Sequence, residues 1–158
     1  MVISVWFSLN NPLISFVMTT KKLALFLVFG LLVLDWGSKW IFYSQGIGSD
    51  LPFLQPLLNT GISRWIPMPS LVSCVIAIVC SLLFFFLFAK DWLTLREFSL
   101  FFAGTLGNLL DRIFLGGVRD FFAFFSFPVF NFADVFLTTA VILVCIRDIF
   151  SWHQKKKI

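Results

Sequence analysis

The sequence predicts an all-α integral membrane protein, with four transmembrane helices, both termini in the cytoplasm and a polar site near the extracytoplasmic face. Three observations predict it. Of 158 residues, 59% are hydrophobic and 13% charged, against an average of about 25% charged in soluble domains. Apolar runs of span length recur along the chain, with a mean hydropathy of +0.98. The basic residues sit at the ends of those runs, where they anchor helices at an anionic leaflet.

The spans are read as about 23–43, 71–89, 92–114 and 132–150 of a single membrane domain covering residues 1–158. In the first, Lys21-Lys22 precedes LALFLVFGLLVL like the start of a signal peptide. No small-residue cleavage site follows; the run passes into Asp35-Trp36-Gly37-Ser38-Lys39, so a retained helix is expected. The second, Leu71 to Ala89, carries no charge. The third turns polar in its second half, with Gly104, Thr105, Gly107, Asn108, Asp111 and Arg112. The fourth ends at Arg147 and a lysine tail. Segment 1–20 is interrupted by Asn10-Asn11-Pro12 and reads as an N-terminal extension or interfacial segment. With both termini inside, eight basic residues lie on the inner side and four (Lys39, Arg64, Arg112, Arg119) on the outer. That bias sets the orientation, and it puts Asp35, Asn59, Asp120 and Asp134 toward the outer face.

The net charge of +4 does not form a basic stripe with aromatic readers, so nucleic acid is not an expected partner. Membrane lipids are. Cys74, Cys80 and Cys145 lie in apolar runs with no CxxC and read as small buried hydrophobes. The lone His153 stands beside the tail, far along the chain from the aspartates. No HExxH or Cys/His cluster points to a metal, and no cofactor is expected.

Chemistry concentrates in two aspartates at the edges of apolar runs. A carboxylate at a helix centre in the bilayer costs about 3 kcal/mol on insertion scales and usually faces the bundle interior, where it marks a site. Asp120 follows the Gly116-Gly117 turn among Val118, Phe121 and Phe122, where no local cap accounts for it. Asp134 is compatible with a structural role, since Asn131 fits an N-cap and Asp134 its third helical position. Both roles can coexist, because a cap fixes the carboxylate's direction. Asp35 and Lys39, four apart with the acid first, fit an ion pair on one helix face, either anchoring the helix end or supporting a polar site beneath it. Gly104 and Gly107 admit close helix approach. Asn108 and Arg112 extend that stripe outward, and buried amide and guanidinium groups need partners. Asp111 reads as structural, an ion-pair or surface residue. An extended Val118–Phe121 would turn Arg119 away from Asp120 toward the headgroups.

The ordered motifs resemble those of bacterial lipoprotein signal peptidases of type II, integral-membrane aspartic peptidases. They are Asp35-x-x-Ser38-Lys39, Asn59-Thr60-Gly61, Gly104-x-x-Gly107-Asn108-x-x-Asp111-Arg112, Gly116-x-Val118-x-Asp120-Phe121 and Phe130-Asn131-x-Ala133-Asp134. The resemblance implies Asp120 and Asp134 as the catalytic dyad, with Asn59, Asn108, Arg112 and Asn131 as substrate-binding residues. Asp35, Lys39, Gly61, Gly104 and Gly107 would support them. It implies diacylglyceryl-modified prolipoproteins as substrates, cleavage before the lipidated cysteine, and a bacterial inner-membrane location. Ile62-Ser63-Arg64-Trp65 departs from the family's usual continuation, so nothing is carried beyond Gly61. Nothing in the chain demands more than a monomer. The rival reading is a small ion- or proton-coupled transport protein, which would string acids along a path through the bilayer. A non-catalytic scaffold is the other, and it leaves two desolvated aspartates without a task.

Overall fold

The computed structural model describes residues 12–61, 68–125 and 127–155. Helix α1 covers Pro12–Ser38 and continues without a break into a π-helical segment, Lys39–Ser44. Of the expected N-terminal segment, residues 12–20 are therefore helical, and residues 1–11 lie outside the described residues. Strand β1 is Leu54–Asn59, α2 is Ser70–Ala89 and α3 is Leu95–Leu115. Strand β2 is Val118–Phe122, and α4 is Phe132–Lys155. Among the described residues, three helices are long and apolar enough to cross a membrane: Lys21–Ser44, Ser70–Ala89 and Leu95–Leu115.

Two boundaries have clear local causes. The third helix starts at Leu95 rather than near Trp92, because Thr94 caps it. Thr94 Oγ1 accepts from the Glu97 N–H while Glu97 Oε2 accepts from the Thr94 N–H at 2.8 Å. This reciprocal box satisfies two otherwise orphaned donors, and its T-x-x-E signature was readable in the sequence. At the other end Gly116 adopts φ +72°, a left-handed conformation that suits glycine, and its N–H donates to the Arg112 carbonyl. The chain thus turns straight from α3 into β2.

The protein is mostly helical but not all-α. β1 and β2 pair antiparallel, with Leu57 opposite Asp120, Leu58 opposite Arg119 and Asn59 opposite Val118. The register is irregular between Leu54 and Leu57, where Pro56 has no N–H to give a ladder. Phe130 then exchanges backbone hydrogen bonds with Phe122 (2.9 and 3.0 Å), so the intervening loop folds back and delivers Asn131 beside β2. The short interval between the two aspartates is what lets this happen.

Helix α3 is the hub, packing against each of the other three helices. Away from the sheet, Phe84 stacks on Phe101 and Phe88 on Phe98, with ring centroids 4.3 and 4.2 Å apart. Ala24, Val28, Ala103 and Phe136 close this cluster. Leu71, Val75, Val79, Leu82 and Phe85 of α2 stay exposed, as lipid-facing side chains do. The cysteines are less enclosed than expected: Cys145 is exposed, and Cys74 and Cys80 are half-buried. In lipid such bundles hold by close packing and interhelical hydrogen bonds, and Gly104 shows how close. A Cβ there would lie 2.6 Å from the Ala133 carbonyl oxygen and 2.8 Å from Leu137 Cγ. Gly30 would meet nothing within 4 Å. Thermal unfolding in detergent should therefore show Gly104→Ala destabilised by about 1–3 kcal/mol, with Gly30→Ala unchanged or slightly stabilised. Equal behaviour of the two variants would mean that the α3–α4 contact is looser than described.

Candidate active site

The site grows from one buried ammonium. Lys39, on the first residue of the π-helical segment, has a side chain with no solvent exposure. Its Nζ donates to Asp35 Oδ2 at 2.7 Å and to Asn108 Oδ1 at 3.1 Å, and it pairs with Asp111 Oδ2 at 3.2 Å. An ammonium only donates, through three N–H groups, and here it has three acceptors.

That fact orients the amides around it. Because Asn108 Oδ1 faces Lys39, the Asn108 amide nitrogen points the other way and donates to Asp134 Oδ1 at 2.9 Å. Asn131, fully buried, gives its amide nitrogen to Asn108 Oδ1 (3.2 Å) and Asp120 Oδ1 (2.6 Å). Its Oδ1 accepts from the Asp134 N–H at 3.1 Å, while Asp134 Oδ2 accepts from the Asn131 N–H at 3.2 Å. Asn131 and Asp134 thus form a reciprocal box at the start of α4, so the helix cap itself aims the Asp134 carboxylate. From β1, Asn59 Nδ2 donates to Asp120 Oδ2 at 3.0 Å, reaching diagonally across the strand pair. Asn59 Oδ1 accepts from the Gly61 N–H at 3.1 Å, which fixes the turn that follows β1.

Asp120 and Asp134 line one cavity of about 230 Å³ together with Asn59, Asn108 and Arg112. Arg112 Nη1 donates to the Asn108 carbonyl and Nη2 to the Gly61 carbonyl, at 3.4 and 3.5 Å. Burial first, and then the neighbouring Asp134 charge, push the Asp120 carboxyl from an ordinary 3.8 up to about 7. A carboxyl so placed titrates near neutrality, as proton-transfer groups do.

Asp35 serves two elements at once. Its Oδ2 binds Lys39, and its Oδ1 accepts from the Ala133 N–H at 2.9 Å, so it also ties down the first turn of α4. Gly107 makes room for it, since a Cβ there would sit 2.5 Å from Asp35 Oδ2.

Asp35, Lys39, Asn59, Gly61, Gly107, Asn108, Arg112, Asp120, Asn131 and Asp134 all come together, and Gly104 lies one helical turn below. Of the two structural roles expected for Asp111, the ion pair is the one found: its side chain is buried between Lys39 and Arg119. Arg119 faces away from Asp120, as strand alternation requires, and part of its guanidinium is held by Asp111. Its Nε and Nη2 donate to Asp111 Oδ1 at 3.2 and 2.7 Å, and its N–H donates to Asp111 Oδ2 at 3.0 Å. The eight-residue separation of Asp111 and Arg119 spans a helix end, a turn and a strand, so no single period reveals the pair. Phe127, Pro128 and Val129, which wall the cavity, also went unrecognised.

A family described as Signal peptidase (SPase) II matches residues 27–150. The chain belongs to the signal peptidase II family. It is 30% identical to the lipoprotein signal peptidase of Bartonella tribocorum, over 87% of this chain and 94% of that protein. It is also 30% identical to the Brucella ovis lipoprotein signal peptidase, over 84% and 93%. A bacterial membrane enzyme structure solved by the in meso method at 2.3 Å aligns with a TM-score of 0.73 and 26% identity, covering 87% of this chain and 93% of that one. A second, at 1.9 Å, aligns with a TM-score of 0.66 and 28% identity, covering 80% and 92%. Family and apolar helices together make the chain a multi-pass membrane peptidase.

The raised Asp120 pKa has a consequence for stability. The folded protein holds a proton that the unfolded chain has released, so this residue's contribution falls as pH rises from 3.8 to about 7. Unfolding measured across that range should show Asp120→Asn gaining on the native protein as pH increases. A constant difference between the two would place Asp120 in a more polar setting.

Proposed function

We propose that this chain is an aspartic endopeptidase that removes signal peptides from diacylglyceryl-modified prolipoproteins, cutting just before the lipidated cysteine. The observation that carries the reading is the pair Asp120 and Asp134, borne by different elements, lining one cavity and each held by asparagine amides. Neighbouring carboxyl groups in a poorly solvated site cannot both ionise easily, so they share a proton and titrate as a pair. One carboxyl of the pair, ionised, takes a proton from the attacking water. The water oxygen adds to the scissile carbonyl carbon, and the protonated carboxyl gives its proton to the developing oxyanion. Collapse of the tetrahedral intermediate breaks the C–N bond. The proton taken from water passes to the leaving amine, which becomes the cysteine's new α-amino group, and a hydroxyl proton returns to the second carboxylate. The chemistry asks for no cofactor.

Asn59, Asn108 and Arg112 line the cavity and bind the substrate's backbone, whereas Asn131, expected to bind substrate, is fully buried and holds the dyad instead; Asp35, Lys39 and the glycines support them. A groove of about 370 Å³ runs from Asp134 and Arg112 past Ser73, Ile76, Cys80, Phe84 and Leu137, and it suits the acyl chains of a lipidated substrate. α4 completes a four-span bundle; its exposed Val141, Ile142, Ile146, Ile149 and Phe150 resemble the lipid-facing residues of the other helices. The basic-residue bias places both termini in the cytoplasm and the site on the extracytoplasmic side of the bacterial inner membrane. A monomer suffices for every part of the site. The transport reading is disfavoured, because Asp35, Asp111, Asp120 and Asp134 gather at one end and α2 offers no charge for a path.

The test is cleavage by the purified protein. A diacylglyceryl-modified precursor should be cut and its unlipidated form left intact. Asp120→Asn and Asp134→Asn should each lower turnover by about 1,000-fold or more while still folding. Because the pair must enter with one proton, kcat/KM should fall as pH rises through about 7, where Asp120 loses its own. Substantial activity in either variant would refute the aspartic mechanism, and cleavage of the unlipidated form would refute the substrate assignment.

A further inference from the structure

A second and larger cavity, of about 680 Å³, lies between α1 and α3 and shares no lining residue with the carboxylate cavity. Its walls include Phe29, Val33, Trp36, Trp40 and Phe114, and Asp111 and Arg119 stand at one end. The peptidase mechanism has no use for it. We propose that this groove binds one membrane phospholipid, with an acyl chain along α1 and the phosphate on Arg119.

Three independent features carry the assignment. The first is Gly37, which lines the groove in mid-helix, although a Cβ there would meet nothing within 4 Å. Gly104 and Gly107 are glycines because protein atoms crowd them; Gly37 has no such protein neighbour among the described residues. A helical glycine costs about 1 kcal/mol relative to alanine, and here it leaves a notch open on the lipid side. An acyl chain fills such a notch as a packed helix would.

The second is charge. Lys39 and Arg119 balance Asp35 and Asp111, and both Asp111 oxygens are engaged by these cations. Arg119 uses Nε and Nη2 on Asp111. Its Nη1 donates to no acceptor among the described residues, and its side chain keeps 12% exposure. The guanidinium lies 5.8 Å from the Trp36 ring centroid. Guanidinium groups bind phosphate oxygens with strong, directed hydrogen bonds, and exposed Trp36 and Trp40 have the side chain favoured at headgroup level.

The third is length. From Trp40 to Phe29 the wall rises about 16 Å at 1.5 Å per residue. That is about half of a 30 Å hydrocarbon core, the depth of one leaflet. One lipid, entering from the leaflet whose surface lies level with Arg119, matches the groove from end to end.

The probes are dioleoyl phosphatidylglycerol and dioleoylglycerol, which share acyl chains and differ in the phosphate headgroup. Each is added to the full-length protein in detergent, and retained lipid is counted by native mass spectrometry. One phosphatidylglycerol should stay bound, with about tenfold less diacylglycerol, a difference of about 1.4 kcal/mol. Gly37→Leu, whose side chain would fill the notch, should retain about tenfold less phosphatidylglycerol at an unchanged melting temperature. Equal retention of the two lipids would overturn the phosphate contact. Undiminished binding by a folded Gly37→Leu protein, or no retained lipid at all, would overturn the site. The comparison of lipids on the native protein stands whether or not the variant folds.

Discussion

The rest of the site depends on a lysine ammonium with no water around it. Lys39 meets Asp35, Asp111 and Asn108 with its three donors, and those partners belong to the first and third helices. Breaking a buried ion pair from one side typically costs about 3–5 kcal/mol, since the survivor is left charged and unsolvated. The position of Lys39 is therefore shared structure rather than a local detail. Because an ammonium cannot accept, it dictates which end of the Asn108 amide faces it, and Asn108 in turn dictates the arrangement at Asn131 and Asp134. Polarity passes through two amides to the two carboxylates.

A bundle in lipid gains little from burying apolar surface between helices, so the polar network and the close contacts must hold the site end of the bundle together. Both converge on α3. Gly107 lets the Asp35 carboxylate lie against the helix, and Gly104 lets α4 approach until Ala133 nearly touches it. Asp35 then ties the Ala133 N–H, so the start of α4 is fixed by a residue from α1. Asp134 is one position further on. The helix packing and the direction of that carboxylate are one problem with one solution. Among the described residues no buried side-chain nitrogen or oxygen lacks a partner, which is what so polar a cluster requires in a low-dielectric setting.

Much of this was legible in the sequence, for reasons that differ by residue. Apolar length marked the helices. The i, i+4 spacing exposed Asp35–Lys39, and the Asn131-to-Asp134 spacing exposed the helix cap. Aspartates among phenylalanines were conspicuous because such placement is costly. The rest needed three dimensions. The strand pair joins segments about sixty residues apart, and β1 has no clean alternation, being interrupted by Pro56. Asp111 reads as an ion-pair or surface residue beside Arg112, and only the fold shows it to be the counter-charge of both Lys39 and Arg119. Arg119 was correctly turned from Asp120 by alternation, but its partner lies across a helix end that no periodicity spans. Hydropathy alone starts α3 near Trp92, and the Thr94–Glu97 capping box moves that start to Leu95.

The central claim is that the Lys39 network sets the geometry of the carboxylate pair, and turnover by the double variant Asp35→Asn, Lys39→Met tests it most directly. This change removes one charge of each sign, leaves Asp111 paired with Arg119, and keeps an oxygen for the Ala133 N–H, so the fold has no uncompensated buried ion. Without the ammonium, the Asn108 amide keeps only its bonds to Asn131 and Asp134 and loses the charged group that sets its orientation. A misplacement of about 1 Å at reacting groups costs about 100-fold in rate. The account predicts a loss in kcat of that order, with KM little changed, in a protein that still inserts and unfolds cooperatively. A folded double variant that cleaves its lipidated precursor at the native rate would contradict it, because the carboxylates would then hold their positions without Lys39.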